Sequence, residues 1–182
     1  LETTTNQSDG DLLSRFVKRD DRDALGELAR RHEVHLLGLA KGLLGGNQSL
    51  AQEAVQNAWV KVIRYGRSFE GRCSVRTWLF RIVVNQCRSL HARERDGMST
   101  EALRPSLASS QRTEVNELAQ RVATAVESLP ESQREVLLLC YHAELAHHQA
   151  AEVIGIPVGT LKSRLHSALQ ALRTALSKES VR

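Results

Sequence analysis

Proline occurs only three times in the 182-residue chain, aromatics make up 4%, and no apolar run approaches the length of a bilayer crossing. The longest such run, Val136 to Tyr141, is a small fraction of a span. The polar stretch Thr3-Thr4-Thr5-Asn6-Gln7 lacks the apolar core of a signal peptide. Three cysteines, an odd number without paired spacing, exclude a disulfide framework and fit free thiols in a reducing cytoplasm. There is no glycine-rich phosphate loop and no credible nucleophile–base arrangement, which argues against an enzyme. Ala, Leu, Arg and Glu are abundant instead, and these residues lose little rotamer freedom in a helix. The expectation is a cytoplasmic, all-α protein without membrane insertion.

The formal net charge of +4 is modest, but its distribution is uneven. Residues 1–95 carry sixteen Lys/Arg against eleven Asp/Glu, a balance of +5, whereas residues 113–182 carry seven against eight, a balance of −1. Between residues 61 and 95, nine basic groups are opposed only by Glu70 and Glu94. A concentrated positive segment attracts a polyanion, and the phosphate backbone of nucleic acid is the commonest in the cytoplasm.

The apolar periodicity predicts two small helical domains joined by a flexible linker. Residues 1–10 read as a disordered tail. Residues 11–95 hold a short helix carrying Leu12, Leu13, Phe16 and Val17, capped by Asp9 or Asp11. A longer helix follows with Leu25, Leu28, Leu36, Leu39 and Leu43, stopped by Gly45-Gly46-Asn47. A third spans Ala51 to Arg64, and after a loop to about Arg76 a fourth carries Trp78, Leu79, Ile82, Val83 and Gln86. Residues 96–112, rich in Ser and containing Pro105, read as the linker. Residues 113–182 then give a helix with Leu118, Val122, Ala125, Val126 and Leu129, and Pro130 opens the next, whose inner face is Val136, Leu137, Cys140 and Tyr141. A short helix from about Ala146 to Ile154 precedes Gly155. From Pro157 a final helix carries the stripe Leu161, Leu165, Ala168, Leu169, Leu172 and Leu176.

Gln149 to Leu165 carries the strongest signal. A helix-turn-helix needs a small residue where its helices cross, here Ala151, and a turn-tolerant residue four positions later, here Gly155. Ile156 and Leu161 plug the corner, and Thr160, Lys162, Ser163 and Arg164 point outwards, as a helix in the major groove requires. A solvated surface helix would account for a lone Lys or Arg, but not for the joint pattern. The second signal is the aromatic content in and beside the basic segment: five of the seven aromatics, Trp59, Tyr65, Phe69, Trp78 and Phe80, lie between residues 59 and 80. Guanidinium groups that hold a backbone and rings that stack on bases suit single-stranded nucleic acid. Trp59 and Trp78 lie on apolar helix faces and read as core, Phe69 is balanced between core and contact, and Arg67, Arg72 and Arg76 are the better contact candidates.

Several stretches together resemble the extracytoplasmic-function (ECF) group of the sigma-70 family of RNA polymerase sigma factors. They are Ala51-Gln-Glu-Ala-Val-Gln-Asn-Ala-Trp59, Phe69-Glu-Gly, Thr77-Trp-Leu-Phe-Arg-Ile-Val-Val-Asn85, Leu129-Pro-Glu-Ser-Gln-Arg-Glu-Val-Leu-Leu-Leu139 and Gly155-Ile-Pro-Val-Gly-Thr-Leu-Lys-Ser-Arg-Leu165. The resemblance implies core RNA polymerase and promoter DNA as partners. Residues 11–95 would be sigma region 2, with Glu53, Gln56 and Asn57 gripping the clamp helices of the largest polymerase subunit. Arg67, Phe69, Arg72, Arg76, Arg81, Asn85 and Arg88 would hold the opened −10 element. Residues 113–182 would be region 4, with Thr160, Lys162, Ser163, Arg164 and His166 in the −35 major groove. No catalytic residue, metal or cofactor is implied. Many relatives are held by an anti-sigma factor, which the resemblance leaves open as a further partner.

The chain departs from the family pattern at Asn57, where an acidic residue is usual, in Cys73-Ser-Val-Arg76, which lacks an aromatic, and in Ala146-His-His-Gln-Ala150. An autonomous helix-turn-helix regulator would explain Ala151 to Leu165 but leave Glu53–Asn57 and the basic-aromatic loop without a purpose. Cys140, His142, His147 and His148 have metal-ligand chemistry, but their spacing matches no metal motif.

Overall fold

The structure, a computed structural model, describes residues 7–95 and 114–179. These residues form helices and short turns, with no strand among them, as an all-α fold requires. The expected linker at 96–112 and most of the expected tail at 1–10 lie outside the described residues.

Helix α1 (Asp9–Arg19) starts from a reciprocal cap. The Ser8 hydroxyl accepts from the Asp11 N–H at 3.2 Å, and the Asp11 carboxylate accepts from the Ser8 N–H at 3.3 Å. Ser8 therefore takes the capping position expected of Asp9 or Asp11. Asp9 instead binds His32 at 2.7 Å and Arg31 at 3.2 Å, tying α1 to α2 (Arg22–Leu43). Gly45 and Gly46, at φ 61° and 80°, stop α2 with the Gly46 N–H donating to the Lys41 carbonyl. Asn47 then caps α3 (Gln48–Tyr65), accepting from the Leu50 N–H at 3.1 Å. After a 3-10 turn, Gly66–Ser68, Ser74 caps α4 (Val75–Arg95) by accepting from the Thr77 N–H at 3.0 Å. Leu79, Phe80, Val83, Val84, Cys87 and Leu90 of α4 are buried, and the helix packs on α2 and α3.

The second half comprises α5 (Glu114–Glu127), α6 (Glu131–Leu137), α7 (His147–Ile154) and α8 (Val158–Glu179). Between α6 and α7 the chain does not stay α-helical: Leu138–His142 form a π turn. The extra residue in that turn shifts the side-chain register. Leu139 is fully buried, Cys140 is half-buried against the core and Tyr141 is 61% exposed, so of the expected inner positions Tyr141 is displaced. The stripes on α5 and α8 also taper. Leu118 and Val122 are exposed while Ala125 is buried, and beyond Ala168 the α8 stripe gives an exposed Leu169 with half-buried Leu172.

Buried apolar side chains form one continuous core from Leu12 to Ala168, so the two halves share it. Two helix-interior glycines one turn apart on α2 lie under side chains of the π turn. A Cβ on Gly38 would run into the His142 ring, and one on Gly42 would lie 2.9 Å from Leu138 Cδ1. Side chains at these positions would force the His142 ring and the Leu138 methyl groups to move.

Burial pushes the Cys87 thiol up to about 12, with the nearby Glu135 carboxylate adding to the shift. A group protonated more tightly when folded stabilises fully below its unfolded pKa and loses that contribution as pH rises through its folded value. Stability should therefore fall between about pH 9 and 12, and chemical denaturation of Cys87→Ala across that range should show a shallower fall. At the other special backbone position, Gly155 ends α7 at φ 81°. Gly155→Ala should cost about 1 kcal/mol, because an L side chain is strained in that region. Thermal unfolding that leaves the midpoint unchanged would contradict this.

Candidate nucleic-acid interface

The corner between α7 and α8 is built from few parts. Ala151 is buried at the crossing, Gly155 takes the left-handed conformation, and its N–H donates to the Ala151 carbonyl at 2.9 Å. Leu161, Leu165 and Ala168 anchor α8 in the core. Their burial turns the intervening positions outwards: Lys162, Ser163 and His166 are exposed, while Thr160 and Arg164 are half-buried. A helix held by one apolar edge with donors along the other can enter a major groove. All five residues expected to read duplex DNA thus belong to one short helical segment.

The residues expected to hold a single strand are more dispersed. Arg67 and Arg72 are exposed in the segment between α3 and α4, and Arg72 pairs with Glu70 at 2.6 Å. Phe69 is half-buried and stacks on Trp78, ring centroids 5.1 Å apart and planes tilted by 50°. This ring contact draws Phe69 towards the core and fixes the loop on the helix start. Trp59 and Trp78 are only partly buried, and the Trp59 indole N–H has no partner among the described residues.

Arg81, Asn85 and Arg88 follow one another at four and three residues along α4, which aligns them on one face. Asn85 is exposed, but the two arginines meet the second half of the chain. Arg81 Nη2 donates to the Glu152 carboxylate at 2.9 Å and to the Glu152 carbonyl at 3.1 Å. Arg88 holds the Glu135 carboxylate with two bonds, of 3.0 and 2.9 Å. Arg76 lies 5.6 Å over the Phe80 ring and donates to the Ala143 carbonyl at 2.7 Å. His91 Nδ1 lies 3.6 Å from Glu131. A basic edge of α4 therefore faces acidic groups on α6 and α7.

Sequence reasoning missed Glu135, Glu152 and the two α2 glycines as partners in this contact. Opposite charge balances in the two halves were the available signal. Cys73 also lies at this contact: burial and the Glu152 carboxylate raise its thiol, against the pull of Arg81. No group of three or more His, Cys, Asp and Glu among the described residues is arranged to hold a metal, and His147 and His148 are exposed at the start of α7.

On α3, Glu53 and Gln56 are exposed and Asn57 is half-buried. Glu53 and Asn57 line a groove of about 490 Å³ between α3 and α4, together with Lys61, Arg64, Gln86 and Arg93. The same helix exposes Val60 and Ile63, which the sequence reading did not single out. Apolar side chains beside exposed polar ones are what a protein-docking face presents. No helix among the described residues is long and apolar enough to cross a membrane.

Comparison with known proteins accounts for both halves. Sigma-70 region 2 matches residues 28–96, and Sigma-70, region 4 matches residues 119–172. The ECF RNA polymerase sigma factor RpoE of Cereibacter sphaeroides is 30% identical, covering 95% of this chain and 98% of that protein. The ECF RNA polymerase sigma factor SigM of Mycobacterium tuberculosis is 32% identical, covering 93% and 85%. Among solved structures, CnrH in complex with the cytosolic domain of CnrY has the same fold, with a TM-score of 0.74 at 24% identity over 94% of this chain and 99% of that one. The sigma factor RpoE of Bartonella quintana, solved with the anti-sigma factor NepR, gives 0.61 at 25% identity, covering 83% and 97%. With both sigma regions matched in order and curated relatives aligned over nearly its whole length, the chain belongs to the ECF RNA polymerase sigma factors, which give core polymerase its promoter specificity.

Proposed function

We propose that this chain docks on core RNA polymerase through α3 and positions it at promoters through α4 and α8. The observation that carries the reading is the corner of α7 and α8. Buried Leu161, Leu165 and Ala168 leave Lys162, Ser163 and His166 pointing outwards from a glycine-closed turn. Thr160 and Arg164 flank them, and the five would contact the −35 element.

Residues 11–95 act as region 2, residues 96–112 as the linker and residues 113–182 as region 4. Glu53, Gln56 and Asn57 would meet the clamp helices of polymerase, and the adjoining Val60 and Ile63 extend that face. Arg67, Phe69, Arg72, Arg76, Arg81, Asn85 and Arg88 would hold the opened −10 strand, with guanidinium groups on phosphates. Positioning needs no bond chemistry, so the chain acts without a catalytic residue or cofactor, and in the cytoplasm, where polymerase and DNA are. The anti-sigma factor bound to the Bartonella quintana protein supports a comparable inhibitory partner here. An autonomous regulator would account for α7 and α8 but would leave the α3 face idle.

Replacing Lys162 and Arg164 together with Ala should weaken promoter-duplex binding about tenfold or more, since each basic contact contributes roughly 1–3 kcal/mol. Polymerase binding in gel filtration should be retained, and equal loss of both would refute the assignment of α8. Glu53→Lys combined with Gln56→Lys should weaken binding to core polymerase at least about tenfold by placing charge at a complementary interface. Unaltered co-migration with polymerase, with the helical circular-dichroism signal also unaltered, would sink the docking role of α3.

A further inference from the structure

We propose that the groove between α3 and α4 is a binding site for a phosphate-bearing ligand of nucleotide size, held by Lys61, Arg64 and Arg93 above the buried amide of Gln86. The groove lies outside the seven residues assigned to the −10 strand, and it shares Glu53 and Asn57 with the face assigned to polymerase.

Helical spacing builds its two walls. On α3, Asn57, Lys61 and Arg64 follow one another at four and three residues; on α4, Gln86, Ser89 and Arg93 follow at three and four. Each set therefore lies along one helix face. All six side chains can donate hydrogen bonds and three of them are cations, whereas Glu53 is the only acid among the described lining residues. Walls made of donors suit a ligand made of acceptors, and phosphate oxygens paired with guanidinium and ammonium groups form the stronger, charge-assisted kind of bond.

These three cations are also uncommitted. Arg15 binds Asp21, Arg31 binds Asp9 and Glu27, and Arg88 binds Glu135. Lys61, Arg64 and Arg93 are exposed and make no ion pair or side-chain hydrogen bond among the described residues. Exposed cations alone would be an ordinary solvated edge. What solvation does not explain is the amide beneath them: Gln86 is 8% exposed, and its Nε2 is buried with no hydrogen-bond partner among the described residues. An unmade bond of this kind is costly, and a ligand oxygen reaching into the groove would satisfy it.

Size and the remaining lining narrow the ligand. The volume of about 490 Å³ falls within the range of small-molecule sites. A single carboxylate would leave two of the three cations unmatched, whereas a di- or triphosphate matches them. Tyr65, 53% exposed, and the apolar Val60 and Leu90 offer surfaces for an attached planar ring. A free nucleoside polyphosphate has this chemistry, and so do the nucleotides of a DNA strand.

The test is isothermal titration calorimetry of the full chain with ATP, inorganic tripolyphosphate and adenosine. ATP and tripolyphosphate should each bind at one per chain, ATP the more tightly, and adenosine should give no binding at the same concentration. Arg64→Ala with Arg93→Ala should weaken ATP binding about tenfold or more. Gln86→Leu should weaken it several-fold without lowering the thermal midpoint, because the variant removes an unsatisfied buried donor; a purely structural amide would leave ATP affinity unchanged. No ATP binding up to about 1 mM, binding that survives the double arginine substitution unaltered, or adenosine binding as tightly as ATP would each overturn the site. Unlabelled single-stranded DNA of mixed sequence then separates the two sources. Displacement of ATP assigns the phosphate to a strand, and retention of ATP assigns it to a free nucleotide; either result supports the site.

Discussion

Helix α4 has two faces with incompatible demands, and the arrangement of the rest of the molecule follows from them. Its inner face, Leu79, Phe80, Val83, Val84, Cys87 and Leu90, is buried in the core. Its other edge carries Arg76, Arg81 and Arg88, three charges that cannot be buried without partners. Glu135 and Glu152 supply carboxylates and Ala143 supplies a carbonyl, so α6, α7 and the turn between them lie against α4. Removing Arg88 from this arrangement would leave Glu135 as a largely buried, unpaired charge. Such a loss is far more destabilising than the loss of an exposed pair.

Geometry on α2 serves the same contact. Glycine within a helix costs roughly 0.5–1 kcal/mol relative to alanine, and α2 carries it at both Gly38 and Gly42. The cost has a structural return: the segment Leu138–His142 approaches α2 where a methyl group would intrude. That segment is also π-helical, which rotates Tyr141 away from the core and brings Leu139 into it. Backbone deviation and missing side chains thus meet at one place, the junction of the two halves.

Much of the fold is legible in the sequence because local chemistry decides it. Gly45-Gly46-Asn47 reads as the end of one helix, and both glycines adopt positive φ as that role requires, although the next helix starts at Gln48 rather than at the expected Ala51. Gly155 reads as the turn of a helix-turn-helix for the same reason. Tyr141 was misread because helical periodicity assumes a constant 3.6-residue repeat, and a π turn breaks it. Leu118 and Val122 belong to the apolar spacing that marks α5 in the sequence, yet both are exposed. At the candidate site, the outward face of α8 follows from the spacing of Leu161, Leu165 and Ala168. The engagement of Arg81 and Arg88 does not follow, because it joins positions 71 and 47 residues apart in sequence. Periodicity describes one element at a time and carries no information about which distant carboxylate will meet a given arginine.

The charge asymmetry between the halves gains a double meaning from this contact. The basic excess at residues 61–95 was read as attraction for a polyanion, while the balance of −1 in residues 113–182 carried no reading of its own. The acidic groups of the second half are not evenly spread, however: Glu131, Glu135 and Glu152 all lie along α4. Tethering within one chain places those carboxylates at high effective concentration, so even the exposed Arg81–Glu152 pair forms without a second molecule.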